Sequence, residues 1–217
     1  MRNKVMCYVE KYNSNPILRG LIQLVPLGIG SAIDVSLTTK LANIKNKRIE
    51  TFFDTLLKNN LNEDSKLLES EDFLHKYFLT VDLALKTRQE EKIKMFAKML
   101  SNSFDKNDVD EYEDYLHILN ELSYRELYIL IELDNSHNEN FKKFPQDNKL
   151  QLTERYWNEF YKKIINKFKI SEGEINSLLV RLSRSGCYQL LAGEYISPRI
   201  GQGTVTEVWN KLKSKIQ

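Results

Sequence analysis

The sequence has few of the residues that build disulfide frameworks, metal sites or exported precursors. Its two cysteines, Cys7 and Cys187, lie far apart and in no metal-ligand spacing, so we expect neither a disulfide nor a zinc site. Near the N-terminus, Arg2 and Lys4 precede an apolar run of only five residues, 5–9, which is too short for a signal peptide. We therefore expect a reduced, cytoplasmic setting without export.

The chain also lacks a long hydrophobic run. Its most apolar segment, GLIQLVPLGIGSAIDVSLTT, contains only fourteen consecutive uncharged residues, 20–33, bounded by Arg19 and Asp34. A membrane-spanning helix needs about 20 mostly apolar residues, and Pro26 and two glycines interrupt this stretch. Its GIGS turn lacks the G-K-S/T ending of a phosphate-binding loop. The segment is therefore interpreted as the buried start of a helical fold.

Two helices are predicted around this segment. A short apolar helix over 16–25 folds back on a long amphipathic helix, which begins at Ser31 with a Ser31/Asp34 capping box and ends near Asn59. An apolar hairpin followed by a basic helix is also typical of a surface-active segment, so membrane or partner contact is the alternative. The residues predicted to make that contact are Leu18, Leu21, Ile22, Leu24 and Val25.

Charge is unevenly distributed along the chain. The net charge is +5 over residues 1–60, −8 over 61–150 and +5 over 151–217. This pattern predicts either oppositely charged parts that pack together or a basic surface with an anionic partner.

The acidic middle is predicted to be helical and without a catalytic or metal site. One or two helices cover 69–103, with Ser70 as N-cap, and another covers 108–122. The acidic run DVDEYED lacks the spacing of an EF-hand, and His75 and His117 have no Cys or His one helical turn away. We find no nucleophile and base pairing, so we expect no enzyme activity, no metal and no cofactor.

In the C-terminal part, further helices alternate with turns. Capping boxes at Ser123/Glu126 and Ser171/Glu174 each begin a helix, and a third helix is expected from Thr153 to Phe168. The polar stretch DNSHNENFKKFPQDNK predicts a loop over 134–149. Gly186 is expected to end the helix that begins at Ser171. The segments CYQLL and EYISPRI are expected to form a hairpin around Ala192-Gly193, and Thr206 to begin the last helix.

Two resemblances extend this interpretation. The stretches PLGIGSAIDVSLTTK, ESEDFLHKYFLTVDLALKTRQEEKIKMFAKML and DEYEDYLHILNELSYRELYIL resemble a family of uncharacterised small bacterial helical proteins, over about residues 15–133. That resemblance implies a bacterial, cytoplasmic protein, with an affinity to abortive-infection proteins, but it supplies no activity and no site residues. The C-terminal order of helix, helix, helix, hairpin and helix resembles a winged-helix domain.

The winged-helix resemblance implies a recognition helix that starts near Ser171. In DNA-binding members the third helix enters the major groove, and basic residues around it contact phosphates. Glu172 and Glu174 in its first turn would repel phosphates there, and winged helices also dock proteins. The predicted nucleic-acid-binding residues are Lys162, Lys163, Lys167, Lys169, Arg181, Arg184 and Arg199.

The sequence thus predicts a mainly α fold, with an N-terminal helical bundle over 1–122 and a winged-helix-like α+β domain with a small antiparallel hairpin over 123–217. The predicted function is a non-catalytic binding or regulatory protein. Its expected partners are a protein, including a second copy of the chain, and nucleic acid. The alternative is a membrane-active defence effector of the abortive-infection type that uses the apolar N-terminal hairpin.

Overall fold

In the computed structural model of the chain, the described residues are 16–25, 35–59, 69–103, 109–191 and 201–217. The described part is mainly helical, as predicted, and contains one small antiparallel sheet of two strands. The Ser31/Asp34 capping box, the GIGS turn, the Ala192-Gly193 turn and Arg199 lie outside these residues. Packing divides the described chain into two units, the first ending at His117 and including Lys215–Gln217, the second covering Ile118–Ser214.

The first unit is built from helices alone among its described residues. A short helix at 16–23 precedes a long one, and the predicted helical region 69–103 is two helices separated by a break at 87–89. The helices are α1 (Pro16–Gln23), α2 (Val35–Lys58), α3 (Glu71–Lys86), α4 (Glu90–Ser101) and α5 (Val109–Glu121), of which α5 continues into the second unit.

Aromatic and aliphatic side chains form the core of the first unit. Helices α2, α3 and α4 pack pairwise against one another, and the predicted cap Ser70 accepts a hydrogen bond from the Phe73 amide at the start of α3. The hydroxyl of Tyr77 donates to the carbonyl of Leu21, which joins α3 to α1. Fully buried side chains of this core include Leu18, Leu21, Phe53, Leu56, Tyr77, Phe96 and Leu100.

After the end of α5, the described residues of the second unit form four helices and the sheet, in the order predicted. They are α6 (Tyr124–Lys143), α7 (Lys149–Phe168), α8 (Glu172–Arg184), β1 (Tyr188–Leu190), β2 (Gly203–Val205) and α9 (Glu207–Ile216). The strands are antiparallel, with Tyr188 opposite Val205 and Leu190 opposite Gly203. The side-chain hydroxyl of Thr206 accepts from the Trp209 amide, which confirms the predicted start of the last helix.

Helices α6, α7 and α8 pack against one another, and the sheet packs on them through β1 on α8 and β2 on α6 and α7. Trp157, Phe160 and Trp209 are buried in this core. Gly186 has φ of 75°, a conformation that glycine adopts without steric cost, and it lies between the end of α8 and β1 as predicted.

The loop predicted over 134–149 is wrong for most of its length. Helix α6 continues to Lys143, and only 144–148 separate it from α7. Polar composition suggested a loop, but the polar side chains bond within the helix: the Asn138 amide donates to Asp134 at 3.0 Å and the Asn140 amide to the Ser136 carbonyl at 2.9 Å. These contacts one turn apart stabilise the helix despite its low apolar content.

The prediction of a hairpin is confirmed, but the second strand differs. The partner of β1 is Gly203–Val205, whereas the predicted partner, EYISPRI, lies entirely in the range 192–200 outside the described residues. Gly203 suits this pairing because a Cβ there would collide with the Gln189 carbonyl oxygen and the Tyr188 ring. Close backbone approach explains why a glycine occupies this strand position.

Candidate functional site

The exposed face of α8 is the candidate site in the second unit. Its first turn is held by the predicted capping box, with the Ser171 amide donating to the Glu174 carboxylate at 2.8 Å and the Glu174 amide to the Ser171 hydroxyl at 3.3 Å. Hydrogen bonds from the Ser171 backbone and side chain lower the pKa of Glu174. One face of the helix buries Ile175, Leu179 and Leu182, which leaves Val180 and two arginines on the outside.

Arg181, a predicted phosphate contact, is already engaged. Its guanidinium group contacts both oxygens of the Glu126 carboxylate, with Nε 3.2 Å from Oε1 and Nη2 3.3 Å from Oε2. Glu126 is only 2% exposed and also closes the capping box of α6 by accepting from the Ser123 amide at 2.8 Å. A two-point bond to a buried carboxylate holds Arg181 in a fixed position and neutralises most of its charge.

Two of the predicted lysines are also engaged on the α6 side of α7. Lys163 forms an ion pair with Glu132, and hydrogen bonding to that carboxylate raises the pKa of Lys163. The ammonium of Lys167 lies 5.5 Å from the centre of the Tyr128 ring, a cation–π contact. These lysines therefore contribute less attraction for an external anion than their number in the sequence suggests.

Three predicted cations remain for an external anion. Lys162, Lys169 and Arg184 are exposed, and across the described ranges none of them forms an ion pair. Close to them in sequence, Val180 on α8 and Leu190 on β1 are each 46% exposed. Among its described residues, the second unit therefore exposes three cations without ion pairs and two large apolar side chains. Arg199, the seventh predicted residue, lies outside the described residues.

One further cation was missed from the sequence. Arg125 on α6 is exposed, its guanidinium carbon lies 5.7 Å from the centre of the Phe168 ring, and its charge adds to the Ser171 hydrogen bonds in lowering the pKa of Glu174. The sequence position of Arg125, in the first turn of α6, does not reveal its interaction with Glu174, because the two residues are distant in sequence. Arg125 is engaged in the same way as Lys167, so we name only the set Lys162, Lys169 and Arg184 the α8 basic surface.

The residues predicted for membrane or partner contact lie on or just after α1. Leu18, Leu21, Ile22 and Val25 are buried, and only Leu24, at 43%, is substantially exposed. Contact with a lipid surface would therefore require these four side chains to leave the core. None of the helices in the described ranges is long and apolar enough to span a membrane.

The described side chains also include no group of three or more His, Cys, Asp or Glu that could hold a metal ion. His75 is exposed and bonds Glu113 at 2.6 Å, a pair joining α3 and α5. Cys187 is buried, and burial raises the pKa of its thiol, which disfavours the reactive thiolate.

Comparison with protein-family models, with curated proteins and with solved structures gives no match for this chain.

Proposed function

We propose that the protein is a non-catalytic binding or regulatory protein whose second unit is a winged-helix-like module that binds duplex nucleic acid through the α8 basic surface. Three packed helices followed by an antiparallel strand pair support the comparison with winged helices. The observation that carries the proposal is the exposure of Lys162, Lys169 and Arg184 without ion pairs among the described residues. Exposed cations without ion pairs can replace counterions on a phosphate backbone.

The placement of acidic residues gives the contact a direction. Glu172 and Glu174 are exposed in the first turn of α8, where they repel phosphates, whereas Arg184 lies in its last turn. We therefore expect Arg184 and the C-terminal half of α8 to face the backbone, while Lys169, two residues before the N-cap Ser171, offsets the repulsion from Glu172 and Glu174 at the other end. This differs from recognition helices that insert their N-terminal residues into the groove.

The test is fluorescence anisotropy with labelled duplex DNA and duplex RNA at about 50 and about 200 mM salt. The triple variant Lys162→Ala, Lys169→Ala, Arg184→Ala is expected to weaken binding by at least about tenfold at the lower salt. It should also reduce the slope of log K against log salt by about 2 to 3, because each phosphate contact contributes about 0.9.

The matched control removes three exposed lysines elsewhere in the unit, Lys142→Ala, Lys143→Ala and Lys149→Ala. It has the same net charge as the triple variant, so any difference between the two reports position rather than total charge. Equal loss in both variants, or no binding to either duplex at low salt, would contradict the proposal. In the second case the exposed Val180 and Leu190 would direct the search to a protein partner.

A further inference from the structure

A groove of about 460 Å³ lies in the first unit, between α2 and the segment that joins α3 to α4. This volume falls within the range of about 300–1,000 Å³ that is typical of small-molecule sites. Ile44 and Ile93 supply apolar lining, and Thr51 and Gln89 supply polar lining. The groove is large enough for a molecule of mononucleotide size and too small for a folded partner.

The lining of the groove is cationic. Lys47, Arg48 and Arg88 face a single acidic residue, Glu90, so the lining side chains carry a net charge of +2. The Glu90 carboxylate is itself shared, because it lies 2.9 Å from the Lys94 ammonium and 4.0 Å from that of Lys47. With this carboxylate engaged, the two arginines dominate the attraction for an anion.

Both arginines have hydrogen-bonding capacity left. One Arg48 nitrogen donates to the Leu85 carbonyl near the end of α3, which fixes the side chain and leaves its other N–H groups for another acceptor. Arg88 is exposed and forms no ion pair within the described ranges of the chain. Gln89 makes no side-chain capping bond to α4. The planar guanidinium fork matches the oxygens of a phosphate group.

We propose that this groove binds a small organic anion that carries a phosphate group, about the size of a nucleoside monophosphate. Arg88 and Arg48 bind the phosphate, and Ile44 and Ile93 contact the apolar part of the ligand. The proposal goes beyond nucleic-acid binding by the α8 basic surface, because it concerns residues of the first unit and requires no polymer.

The experiment is isothermal titration calorimetry of the full-length protein at low salt with three probes: adenosine monophosphate, inorganic phosphate and adenosine. Adenosine monophosphate should bind most tightly, because it alone offers both the phosphate and an apolar body. Arg88→Ala is expected to weaken its binding by about tenfold or more, the effect of losing a charge-assisted hydrogen bond. Far-UV circular dichroism and the melting temperature should show that Arg88→Ala is folded.

Two controls locate the site. Lys58→Ala removes an exposed charge at the end of α2, outside the groove lining, and should leave the affinity for adenosine monophosphate unchanged. The triple variant Lys162→Ala, Lys169→Ala, Arg184→Ala should also leave it unchanged. If that triple variant loses the nucleotide while Arg88→Ala keeps it, the anion site lies in the second unit and the groove proposal is wrong.

The remaining outcomes are also decisive. No heat with adenosine monophosphate at low salt, or equal affinity in the parent and Arg88→Ala, would overturn the proposal. Adenosine binding as tightly as its monophosphate would show that the phosphate is not recognised. Inorganic phosphate binding as tightly as the nucleotide would exclude the organic body from the site. A protein that binds the nucleotide through Arg88 but fails to bind duplexes would contradict only the proposal for the second unit.

Discussion

Among the described residues, the first unit buries hydroxyl and ammonium groups but no carboxylate, whereas the second unit buries two carboxylates. In the first unit, the Tyr77 hydroxyl donates to the Leu21 carbonyl, and the hydroxyls of Thr80 and Tyr112 bond to each other. Even a buried ammonium, that of Lys76, lies over an aromatic ring, 5.6 Å from the centre of Tyr112. The hydrogen bonds between neutral groups, Tyr77 with Leu21 and Thr80 with Tyr112, each contribute about 0.5–1.5 kcal/mol to the free energy of unfolding.

The second unit instead buries carboxylates. Glu126 forms an ion pair with Arg181, and Asp134 forms one with Lys213. Both acidic residues are buried, Glu126 at 2% exposure and Asp134 at 5%. Removing the basic partner of a buried carboxylate costs more than removing a neutral hydroxyl, because the carboxylate stays buried without its counter-charge. The comparison teaches that losing a buried hydroxyl from the first unit should cost less than leaving a buried carboxylate of the second unit without its basic partner.

The largest expected effect is a charge placed in the core of the first unit. Leu21→Asp should reduce the free energy of unfolding by about 4 kcal/mol or more, since Leu21 is 0% exposed and the carboxylate would be buried. Urea unfolding followed by circular dichroism measures the change. The matched control Leu24→Asp, at a largely exposed position, should cost within about 0.5 kcal/mol. Equal effects would show that Leu21 is not buried in solution.

A steric substitution shows whether the second unit also depends on neutral packing. Gly203→Ala should destabilise by about 3 kcal/mol, because the added Cβ would collide with the Gln189 carbonyl and the Tyr188 ring. Gly173→Ala, where the nearest atom to the added Cβ is 4.0 Å away, should stabilise by about 0.5–1 kcal/mol. Chemical denaturation of both variants measures the difference, and a neutral Gly203→Ala would contradict the strand pairing.

Separating the cap from the charge sharpens the comparison further. Glu126→Ala should cost about 2 kcal/mol, because it removes both the capping bond and the partner of Arg181, while Glu126→Gln keeps the cap and should cost about 1 kcal/mol. Glu174→Ala, which removes an exposed capping box alone, should also cost about 1 kcal/mol. Equal losses for Glu126→Ala and Glu174→Ala in denaturation curves would mean that the buried ion pair adds nothing.

The smallest expected effect is a dependence of stability on pH through His137. Burial lowers the pKa of His137, the charge of Asp134 opposes this, and its Nδ1 atom has no hydrogen-bond partner. Because protons then bind the unfolded chain more readily, stability should fall as the pH drops through about 6.5 and level off below the pKa of the folded state.

His137→Phe, which preserves the stacking on Phe141, should remove the contribution of His137 to the change in unfolding free energy between pH 7.5 and 5. Urea unfolding at several pH values measures this change. His117→Phe, at an exposed position, serves as the control and should retain the change. An unaltered pH dependence in His137→Phe would exclude His137 as its source.

Local sequence signals predicted the helix starts of the second unit well. The Ser123/Glu126 and Ser171/Glu174 boxes are both present, whereas the box at Asn148/Gln151 was not predicted, because Asn148 lies in the polar stretch interpreted as a loop. The order of elements after residue 123 followed from these boundaries and from Gly186. The extent of α6 beyond residue 134 could not be predicted from the sequence, since composition alone cannot show that polar side chains form hydrogen bonds within a helix.

The candidate site was only half predictable. All described members of the predicted basic set lie on α7, on α8 or in the turn between them, and the sequence alone identifies them as basic. The sequence could not show which of them form ion pairs, because Arg181 binds Glu126, which lies 55 positions away in the sequence. The groove of the first unit was missed for the same reason: its arginines, Arg48 and Arg88, lie on separate segments.

By itself, the sequence determined where the helices capped by Ser70, Ser123 and Ser171 begin and which helix faces are apolar, because a cap joins residues three apart and helical periodicity repeats within two turns. Tertiary structure decided which strand pairs with β1, how far α6 extends and which charges stay available to a ligand. Those outcomes depend on contacts between residues far apart in the chain, such as Asp134 with Lys213 across 79 positions, and such contacts exist only once the helices have packed.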